Sequence, residues 1–390
     1  MRIGMITACY HPVINGVTQM VSLYRRHLTA LGHEVTIFTL GEPDPCDDEL
    51  KIIRSPGLPV KDGYHLGWRY SRKAQARLRQ MQVIHCHHLG MGMEFAYRYS
   101  NGPIMFTNHT RYDLHAGVHL PLPQRLVTAL MRQIWPKLAG LADVVVTPSA
   151  SMRTILREFG VQGRIEVIAN GIDLESFRQP NRPLTKDDLG LDDSTILCLY
   201  VGRLSLEKRV DVLLAQFALA QKRIPKAHLM LIGSGTQQNP LKRQAERLGI
   251  APFIHFAGAV APQAIPDYLA AADIFVTTSP AESHPLAVME AMAAGLPVAA
   301  PVAPGLVDLI ASGLTGLLVR DPQPGLASAL VTLGTDEAER HRLGRAAQIA
   351  SERFDIRKTI EQTLAIYERL CQTRPDLHKQ RANSRGSYYH

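Results

Sequence analysis

The sequence, 390 residues long, is poor in several features that would point to particular classes of protein. It contains no run of about 20 uncharged apolar residues, the length that spans a bilayer, so no transmembrane helix is predicted. Aromatic residues make up only 6% of the chain, and no basic motif rich in stacking side chains is present, which argues against nucleic-acid binding. The five cysteines are an odd number without a Cys-x-x-Cys pair, so we expect a reducing cytoplasm rather than a disulfide framework.

The beginning of the chain also lacks a secretory signal. An apolar stretch covers residues 3–10, but His11, Asn15 and Gln19 interrupt it. This pattern predicts a first buried strand rather than a signal peptide. The net charge of +8 carries no information about the fold, but it favours an anionic partner such as an anionic lipid or a phosphorylated substrate.

Strand and helix patterns alternate along the whole chain. Short runs rich in Val and Ile predict buried parallel strands at residues 35–38, 83–85, 144–146, 165–168, 197–201, 229–232 and 274–276. Amphipathic windows between them predict helices at residues 17–31, 124–139 and 208–223. Repeated βαβ units indicate an α/β fold with two Rossmann-like, doubly wound domains, whose crevices lie at the carboxyl ends of the strands.

An Asn-Gly turn at residues 170–171 and the polar stretch after it predict a domain boundary. We expect an N-terminal domain at 1–172 and a second domain at 173–354. A C-terminal helix is expected at 355–372, packing back on the first domain, with a flexible tail at 373–390.

The strongest local signal is the segment 279–298, which follows a predicted strand. Leu286, Met289, Glu290 and Ala293 recur at helical spacing, so Ser283 to Ala287 should lie at a helix N-terminus, where backbone N–H groups bind anions. Glu282 precedes this helix and Glu290 lies about two turns inside it. The alternative is an ordinary helix whose dipole favours an acid at its start.

This segment resembles the donor motif of the retaining, family-4 glycosyltransferases, which have the GT-B fold of two Rossmann-like domains facing across a cleft. The resemblance extends to about residue 370. It implies that Glu282 contacts hydroxyls of the donor sugar and that Glu290 contacts the ribose. The family often has Gly-Phe-Gly after the first glutamate, whereas this chain has Ser283-His284-Pro285. Because Pro285 has no N–H, the phosphate amides must come from Leu286 and Ala287.

A second basic segment follows the first strand of the second domain. Arg203 and Lys208 bring two cations to the carboxyl end of this strand, where a nucleoside diphosphate leaving group needs neutralisation. The segment resembles the Gly-Arg-x-x-x-x-Lys of the family, whose Arg and Lys grip the diphosphate. A solvated basic helix start is the alternative.

Three further positions take their expected roles from the resemblance. Gly16 matches a glycine-bearing loop that approaches the donor, with Asn15 where the family commonly has a glycine and with an ordinary helix cap as the alternative. His109 follows a predicted strand and matches a histidine near the reacting sugar, where it could bind the C6 hydroxyl or orient the acceptor. Gly258 matches a loop that makes backbone contacts to the base, and it could equally be a plain turn.

The run His85-Cys86-His87-His88 invites a metal interpretation, because His85 and His87 share one face of a strand end. No carboxylate lies nearby in the sequence to support a metal. Family members commonly have histidines here without metal, so we expect neither a metal nor another cofactor, with the nucleotide sugar as co-substrate.

Two windows suggest a membrane surface. Residues 65–79 carry five Lys or Arg and no acid, together with the amphipathic rings of Trp68 and Tyr70. Residues 120–135 have a wide apolar side and only Arg charges. A solvated basic helix and a core helix on the sheet are the respective alternatives. The segment 109–113 and the helix after it also resemble the diacylglycerol glucosyltransferase branch of the family, which implies a lipid acceptor at the cytoplasmic face.

The sequence therefore predicts a retaining hexosyltransferase that uses a nucleotide sugar, with UDP-glucose expected before GDP-mannose. The acceptor is expected to be a lipid such as diacylglycerol or a glycolipid, and a soluble or polysaccharide acceptor is the alternative. A UDP-sugar epimerase of the same architecture and a nucleotide-sugar sensor without chemistry remain rivals. No nucleic-acid partner is expected.

Overall fold

The computed structural model describes residues 1–45, 47–48, 51–60, 63–114 and 123–373. It separates into two compact units. Of the described residues, those within 1–110, 123–170 and 356–373 form the N-terminal unit, and those within 111–114 and 171–355 form the C-terminal unit. The division at residue 170 lies two residues before the boundary expected from the sequence. The predicted tail at 374–390 lies outside the described residues.

The N-terminal unit is built on a seven-stranded parallel sheet with the order β3-β2-β1-β6-β7-β8-β9. Its strands are β1 (Arg2–Ile6), β2 (Glu34–Leu40), β3 (Ile52–Ser55), β6 (Val83–Cys86), β7 (Ile104–Thr107), β8 (Val144–Thr147) and β9 (Ile165–Val167), and a separate antiparallel pair is formed by β4 (Leu58–Pro59) and β5 (His65–Leu66). Its helices are α1 (Gly16–Ala30), α2 (Arg72–Leu78), α3 (Met91–Tyr99), α4 (Gln124–Ala139), α5 (Ala150–Glu158) and, at the end of the chain, α13 (Ile356–Thr373). Strands such as β8 are buried along their whole length, as expected of a parallel sheet covered on both faces.

The C-terminal unit is built on a six-stranded parallel sheet with the order β12-β11-β10-β13-β14-β15. Its strands are β10 (Ile196–Val201), β11 (Ala227–Ile232), β12 (Ile254–Gly258), β13 (Ile274–Val276), β14 (Val298–Pro301) and β15 (Gly316–Val319). Its helices are α6 (Leu174–Arg178), α7 (Val210–Gln221), α8 (Gln238–Arg247), α9 (Ile265–Ala271), α10 (Leu286–Ala293), α11 (Pro322–Thr335) and α12 (Glu337–Ala350). Leu213, Phe217 and Leu229 lie in its core and are fully buried.

Each sheet has one point at which the strand order reverses. In the N-terminal unit this point lies between β1 and β6, and in the C-terminal unit it lies between β10 and β13. Ligands of doubly wound sheets bind outside the carboxyl ends of the strands at this point. The α/β prediction with two doubly wound sheets is confirmed, and the loops that leave β1, β6, β10 and β13 are where a site is expected.

The last helix, α13, belongs to the N-terminal unit although it follows the second sheet in sequence. The Tyr367 hydroxyl lies 2.6 Å from His85 Nδ1, and Tyr24 contacts Thr363 through hydroxyl oxygens 3.3 Å apart. Thr359 donates a hydrogen bond to the carbonyl of Ala169. These buried polar contacts hold the end of the chain on the first sheet.

Candidate active site

Two loops that follow neighbouring strands of the C-terminal unit are in backbone contact. A Cβ atom at Gly233 would lie 1.9 Å from the carbonyl oxygen of Gly202, and one at Gly235 would lie 2.2 Å from that of Leu204. Gly233 also has a φ of +136°, which favours glycine. The close approach leaves the loop after β10 little freedom, and this loop carries Arg203.

The two predicted phosphate-binding cations each lie beside a carboxylate. Lys208 Nζ is 2.6 Å from Glu282 Oε1, and both side chains are largely buried. Arg203 Nη2 is 3.0 Å from Glu207 Oε1, and the arginine side chain is 41% exposed. The structure thus brings together Lys208 and Glu282, which are 74 residues apart in sequence, at the point where the strand order reverses.

Thr278 joins the loops that follow β10 and β13. Its hydroxyl is 3.1 Å from the carbonyl oxygen of Lys208 and 2.8 Å from that of Arg209. Arg209 has a left-handed backbone with a φ of +52°, which is uncommon for a residue other than glycine. Thr278 was not predicted as a site residue. Its position at the end of a strand was the only signal in the sequence.

The helix that follows Glu282 begins within the N-terminus predicted at residues 283–287. Helix α10 starts at Leu286 with Pro285 at the N-cap, and no side chain among the described residues caps this end. The first N–H groups of a helix have no partner within it, so the amides of Leu286 and Ala287 are suited to binding an anion. Ser283 lies in the loop before this end, next to Glu282.

Glu290 and His284 have environments that favour their neutral forms. Burial raises the pKa of Glu290 to about 7, although its side chain is not fully covered. Burial lowers the pKa of His284 to about 3, and its ring packs edge-on against Phe354 with centroids 5.5 Å apart. The His284 ring is therefore buried and neutral at pH 7.

Two glycines shape the rest of this site. Gly258 has a φ of +72°, and its carbonyl accepts a hydrogen bond of 2.7 Å from the amide of Gly233. Gly305 has a φ of +79°, and a Cβ atom there would lie 2.5 Å from the carbonyl oxygen of Ser283. Gly305 was not predicted, and nothing in its local sequence marks it as a neighbour of Glu282.

The N-terminal unit has a group of buried imidazoles near the point where its own strand order reverses. The corresponding point of the C-terminal unit has ion pairs instead. His85 contacts Tyr367 through Nδ1 and Thr107 through Nε2, both at 2.6 Å. His88 Nδ1 accepts a hydrogen bond from the Ala8 amide at 3.2 Å, which places its proton on Nε2. Burial lowers the pKa of His88 to about 4 and that of His85 well below its usual value, so both rings are neutral at pH 7.

His109 belongs to the same cluster. Its Nε2 is 3.1 Å from His87 Nδ1, and the two rings are stacked at 13° with centroids 5.3 Å apart. Burial is the main reason that the pKa of His109 falls to about 3, and a hydrogen bond with Asn170 opposes this shift in part. His109 is thus a neutral hydrogen-bonding group held by two side chains.

Asn15 and Gly16 begin helix α1. The Asn15 side chain accepts hydrogen bonds from the amides of Val17 and Thr18 at 2.9 and 3.0 Å. The Thr18 hydroxyl accepts from the Asn15 amide in return, which completes a capping box. The amide oxygen of Asn15 is therefore engaged by the helix, and Gly16 is exposed at the first helical position.

Two family models match the chain. The Glycosyl transferases group 1 model matches residues 181–350, and the Glycosyltransferase Family 4 model matches residues 14–176. The alpha-monoglucosyldiacylglycerol synthase of Streptococcus pneumoniae is 30% identical over 374 residues, which cover 92% of this chain and 84% of that protein. The chain is a family-4 glycosyltransferase. It is an enzyme, and its family transfers sugars with retention.

Other relatives of this glycosyltransferase agree. The alpha-monoglucosyldiacylglycerol synthase of Acholeplasma laidlawii is 27% identical over 76% of this chain and 79% of that protein. The solved structure of Anabaena HepE in complex with UDP and glucose has a TM-score of 0.76 at 20% identity, and it covers 94% of this chain and 99% of that chain. The likeness shows the GT-B fold.

The described part of this glycosyltransferase contains no helix that is both long and apolar enough to cross a membrane. It also contains no group of three or more His, Cys, Asp or Glu side chains placed to hold a metal ion. The positive charge at the candidate donor site comes from Arg203 and Lys208.

Proposed function

We propose that this glycosyltransferase moves glucose from UDP-glucose to a hydroxyl of a diacylglycerol-type lipid at a membrane surface. The proposal has a donor half, UDP-glucose, and an acceptor half, the lipid. The main support for the donor half is the Lys208–Glu282 pair, which precedes the N-terminus of α10, where no described side chain caps the helix. It combines a cation and free amides for a diphosphate with a carboxylate that can accept hydrogen bonds from sugar hydroxyls.

The leaving group explains why two cations meet here. When the bond between the anomeric carbon and the phosphate oxygen breaks, negative charge builds up on the diphosphate. Arg203, Lys208 and the amides of Leu286 and Ala287 stabilise that charge most in the transition state. Because these groups supply the positive charge, we propose that transfer proceeds without a metal.

The acceptor hydroxyl attacks the anomeric carbon from the face that the diphosphate leaves. A new bond forms between this carbon and the acceptor oxygen, and the departing phosphate oxygen takes the acceptor proton. The anomeric configuration is retained without a covalent sugar–enzyme intermediate.

The remaining site residues position the donor. Glu282 binds sugar hydroxyls once the diphosphate attracts Lys208, and Glu290 binds the ribose. Gly258, with the backbone of Ser283, His284 and Pro285, lines the nucleotide. His109 binds an uncharged group such as the C6 hydroxyl, and the loop at Asn15 and Gly16 approaches the sugar.

The acceptor half of the proposal rests on the relatives and on helix α4. Two of the relatives that cover most of the chain are named as monoglucosyldiacylglycerol synthases. Helix α4 contains no acid, and it exposes Leu126 and Leu130 beside Arg125 and Arg132. Mixed apolar and basic exposure suits the surface of an anionic membrane and does not suit a core helix.

A second exposed surface extends from β4 to the start of α2. Leu58 and Leu66 lie directly opposite each other on β4 and β5, and both are exposed. Trp68 is 77% exposed, and the basic side chains of Arg69 and Arg72 follow it on the surface. The expectation that Tyr70 adds a second surface ring was wrong, because Tyr70 is buried against Phe95.

Nucleotide binding tests the donor half. Thermal unfolding is followed with UDP, GDP, ADP and their hexoses, without added metal. We expect a shift of several degrees with UDP and UDP-glucose, because a ligand that binds only the folded state stabilises it. A shift with GDP alone would show that the donor carries guanine rather than uracil. The absence of a shift with any nucleotide would refute the donor site.

Flotation tests the acceptor half. We expect the purified protein to float with vesicles that contain phosphatidylglycerol and not with neutral phosphatidylcholine vesicles. Trp68→Ser should reduce flotation, whereas Leu31→Ser, which changes an exposed leucine at the end of α1, should not. Failure to bind either kind of vesicle would favour a soluble or polysaccharide acceptor.

A further inference from the structure

Glu207 is a buried carboxylate that contacts Arg203 and directly precedes Lys208 in the sequence. It lies in the single helical turn Leu206–Lys208, and its side chain is only 6% exposed. Its Oε1 accepts a hydrogen bond of 2.6 Å from the Ser205 hydroxyl and lies 3.0 Å from Arg203 Nη2. Neither the sequence motif nor the proposed mechanism gives this carboxylate a role.

The charge of Glu207 is maintained in the folded protein. Burial acts to raise its pKa, but hydrogen bonds from Ser205 and from its own backbone amide, with the charges of Arg203 and Lys208, bring the pKa below its usual value. Glu207 is therefore ionised at neutral pH. A permanent negative charge this close to a diphosphate site weakens the attraction for phosphate, so a site built for positive charge alone would not include it.

The contact with Arg203 offers a reason for its presence. The arginine side chain is 41% exposed, and a long exposed side chain loses rotamer entropy when a ligand immobilises it. A guanidinium has five N–H donors in a fixed fork, so a contact with a carboxylate and contacts with phosphate oxygens do not exclude one another. The backbone of Arg203 is fixed as well, because its carbonyl accepts a hydrogen bond of 3.0 Å from the Tyr200 hydroxyl.

We propose that Glu207 is a positioning residue, which holds the Arg203 guanidinium in advance in the orientation that meets the donor diphosphate. Ser205 holds the carboxylate in turn. The affinity for the diphosphate that is gained from a preorganised arginine exceeds the affinity that is lost to the nearby negative charge. This inference rests on the proposed function, since it requires that Arg203 binds the diphosphate.

The test compares UDP with uridine, which lacks the phosphates. Binding of each to the wild-type protein and to Glu207→Gln is measured by calorimetry. We expect Glu207→Gln to weaken UDP about tenfold, the effect of roughly 1.4 kcal/mol, and to leave uridine unchanged. A merely structural role would weaken both ligands together, and a merely repulsive carboxylate would make UDP bind more tightly after substitution; either result overturns the inference.

A double-mutant cycle with Arg203→Ala locates the effect. If Glu207 acts through Arg203, Glu207→Gln should no longer weaken UDP binding once Arg203 is alanine, and loss of the repulsive charge should leave the affinity equal or higher. A full effect in that background would contradict the inference. The control is Glu339→Gln, which removes a carboxylate paired with Arg342 at 2.7 Å outside the described site and should bind UDP normally.

A second variant and the nucleotide affinity of the wild-type protein complete the test. Glu207→Asp retains the charge but shortens the reach to Arg203, and it should also weaken UDP and lower turnover of UDP-glucose. It serves as the test if Glu207→Gln does not fold. If the wild-type protein binds no nucleoside diphosphate, both the donor assignment and this inference fail; if it binds UDP and both variants match it, only this inference fails.

Discussion

The two units present opposite chemistry at the points where their strand orders reverse. The N-terminal unit gathers buried histidines, of which His88 and His109 have pKa values of about 4 and 3. The C-terminal unit gathers the ion pairs of Lys208 with Glu282 and of Arg203 with Glu207. The same doubly wound architecture thus supports a neutral polar cluster in one unit and a charged cluster in the other.

The difference corresponds to the two kinds of group in a glycosyl transfer. A leaving diphosphate develops negative charge and needs cations and helix amides. Sugar and acceptor hydroxyls are uncharged, and neutral imidazoles can bind them without attracting ions. A fold that is shared by many functions does not dictate this division; the residues after β6, β7, β10 and β13 do.

The largest expected effect lies in the charged cluster. Lys208→Ala and Glu282→Ala should each lower turnover of UDP-glucose by a factor on the order of 10²–10³, the usual effect of removing one group that stabilises transition-state charge. Turnover is measured as release of UDP during transfer, on protein shown to be folded by circular dichroism. Arg209→Ala, which removes an exposed side chain whose Nε lies 3.4 Å from the exposed Asp211 carboxylate, should have little effect. Near-normal rates in both site variants would show that the charged cluster is not the donor site.

The neutral cluster should make the protein sensitive to acid. The pKa values of His88 and His109 are lower in the folded than in the unfolded state, so the unfolded state binds more protons as the pH falls below about 6.5. Each such histidine should cost about 2 kcal/mol of unfolding free energy at pH 5 relative to pH 7.5. Urea unfolding at the two pH values measures the loss.

A variant separates this effect from general acid instability. His88→Gln cannot titrate, so its stability should fall by about 2 kcal/mol less than that of the wild-type protein over the same range. His341→Gln, a change at an exposed histidine, should show the full wild-type loss. Equal losses in all three proteins would contradict a neutral cluster.

The attachment of the last helix gives a smaller effect. Tyr367→Phe removes the hydroxyl that lies 2.6 Å from the buried His85, and it should lower the free energy of unfolding by about 1–3 kcal/mol. Tyr24→Phe removes a longer contact, 3.3 Å to Thr363, and should cost less. Denaturant unfolding at pH 7.5 ranks the two variants, and a larger loss for Tyr24→Phe would contradict the contacts described.

A last prediction concerns Glu290, a carboxyl group in the C-terminal unit whose pKa is raised to about 7. Burial raises the pKa of Glu290 above its unfolded value, so its contribution to stability is present below about pH 4.5 and is lost as the pH rises toward 7. Glu290→Gln should therefore raise the melting temperature at pH 8 and have little effect at pH 4.5. A rise of equal size at both pH values would show that the carboxyl group is not the cause.

Local patterns in the sequence were enough for the fold. The predicted strand at 144–146 corresponds to β8, and the predicted helix at 124–139 has the bounds of α4. Such runs are read reliably because burial on both faces leaves a continuous apolar segment in a parallel sheet. The start of α10 at Leu286 also lies within the helix N-terminus predicted at residues 283–287.

Predicting the contacts of the candidate site required more information than local sequence patterns contain. Spacing alone gives no reason to pair Lys208 with Glu282, and only the resemblance to a family associated them. The contact between Arg203 and Glu207 could have been suspected, since the two residues are four apart in the sequence. A single helical turn, however, does not determine the geometry of such a pair. The stacking of His87 on His109 and the approach of Gly305 to Ser283 depend on tertiary contacts that no short window contains.

The most direct test of the proposed reaction is transfer itself. The protein is incubated without added metal with UDP-α-glucose labelled at the anomeric carbon and with vesicles of phosphatidylglycerol and diacylglycerol, and the extracted lipid is analysed by NMR. We predict a glucosyl lipid with the α configuration. Glucose released without a lipid product would contradict the lipid acceptor, and a β-linked product would contradict retention.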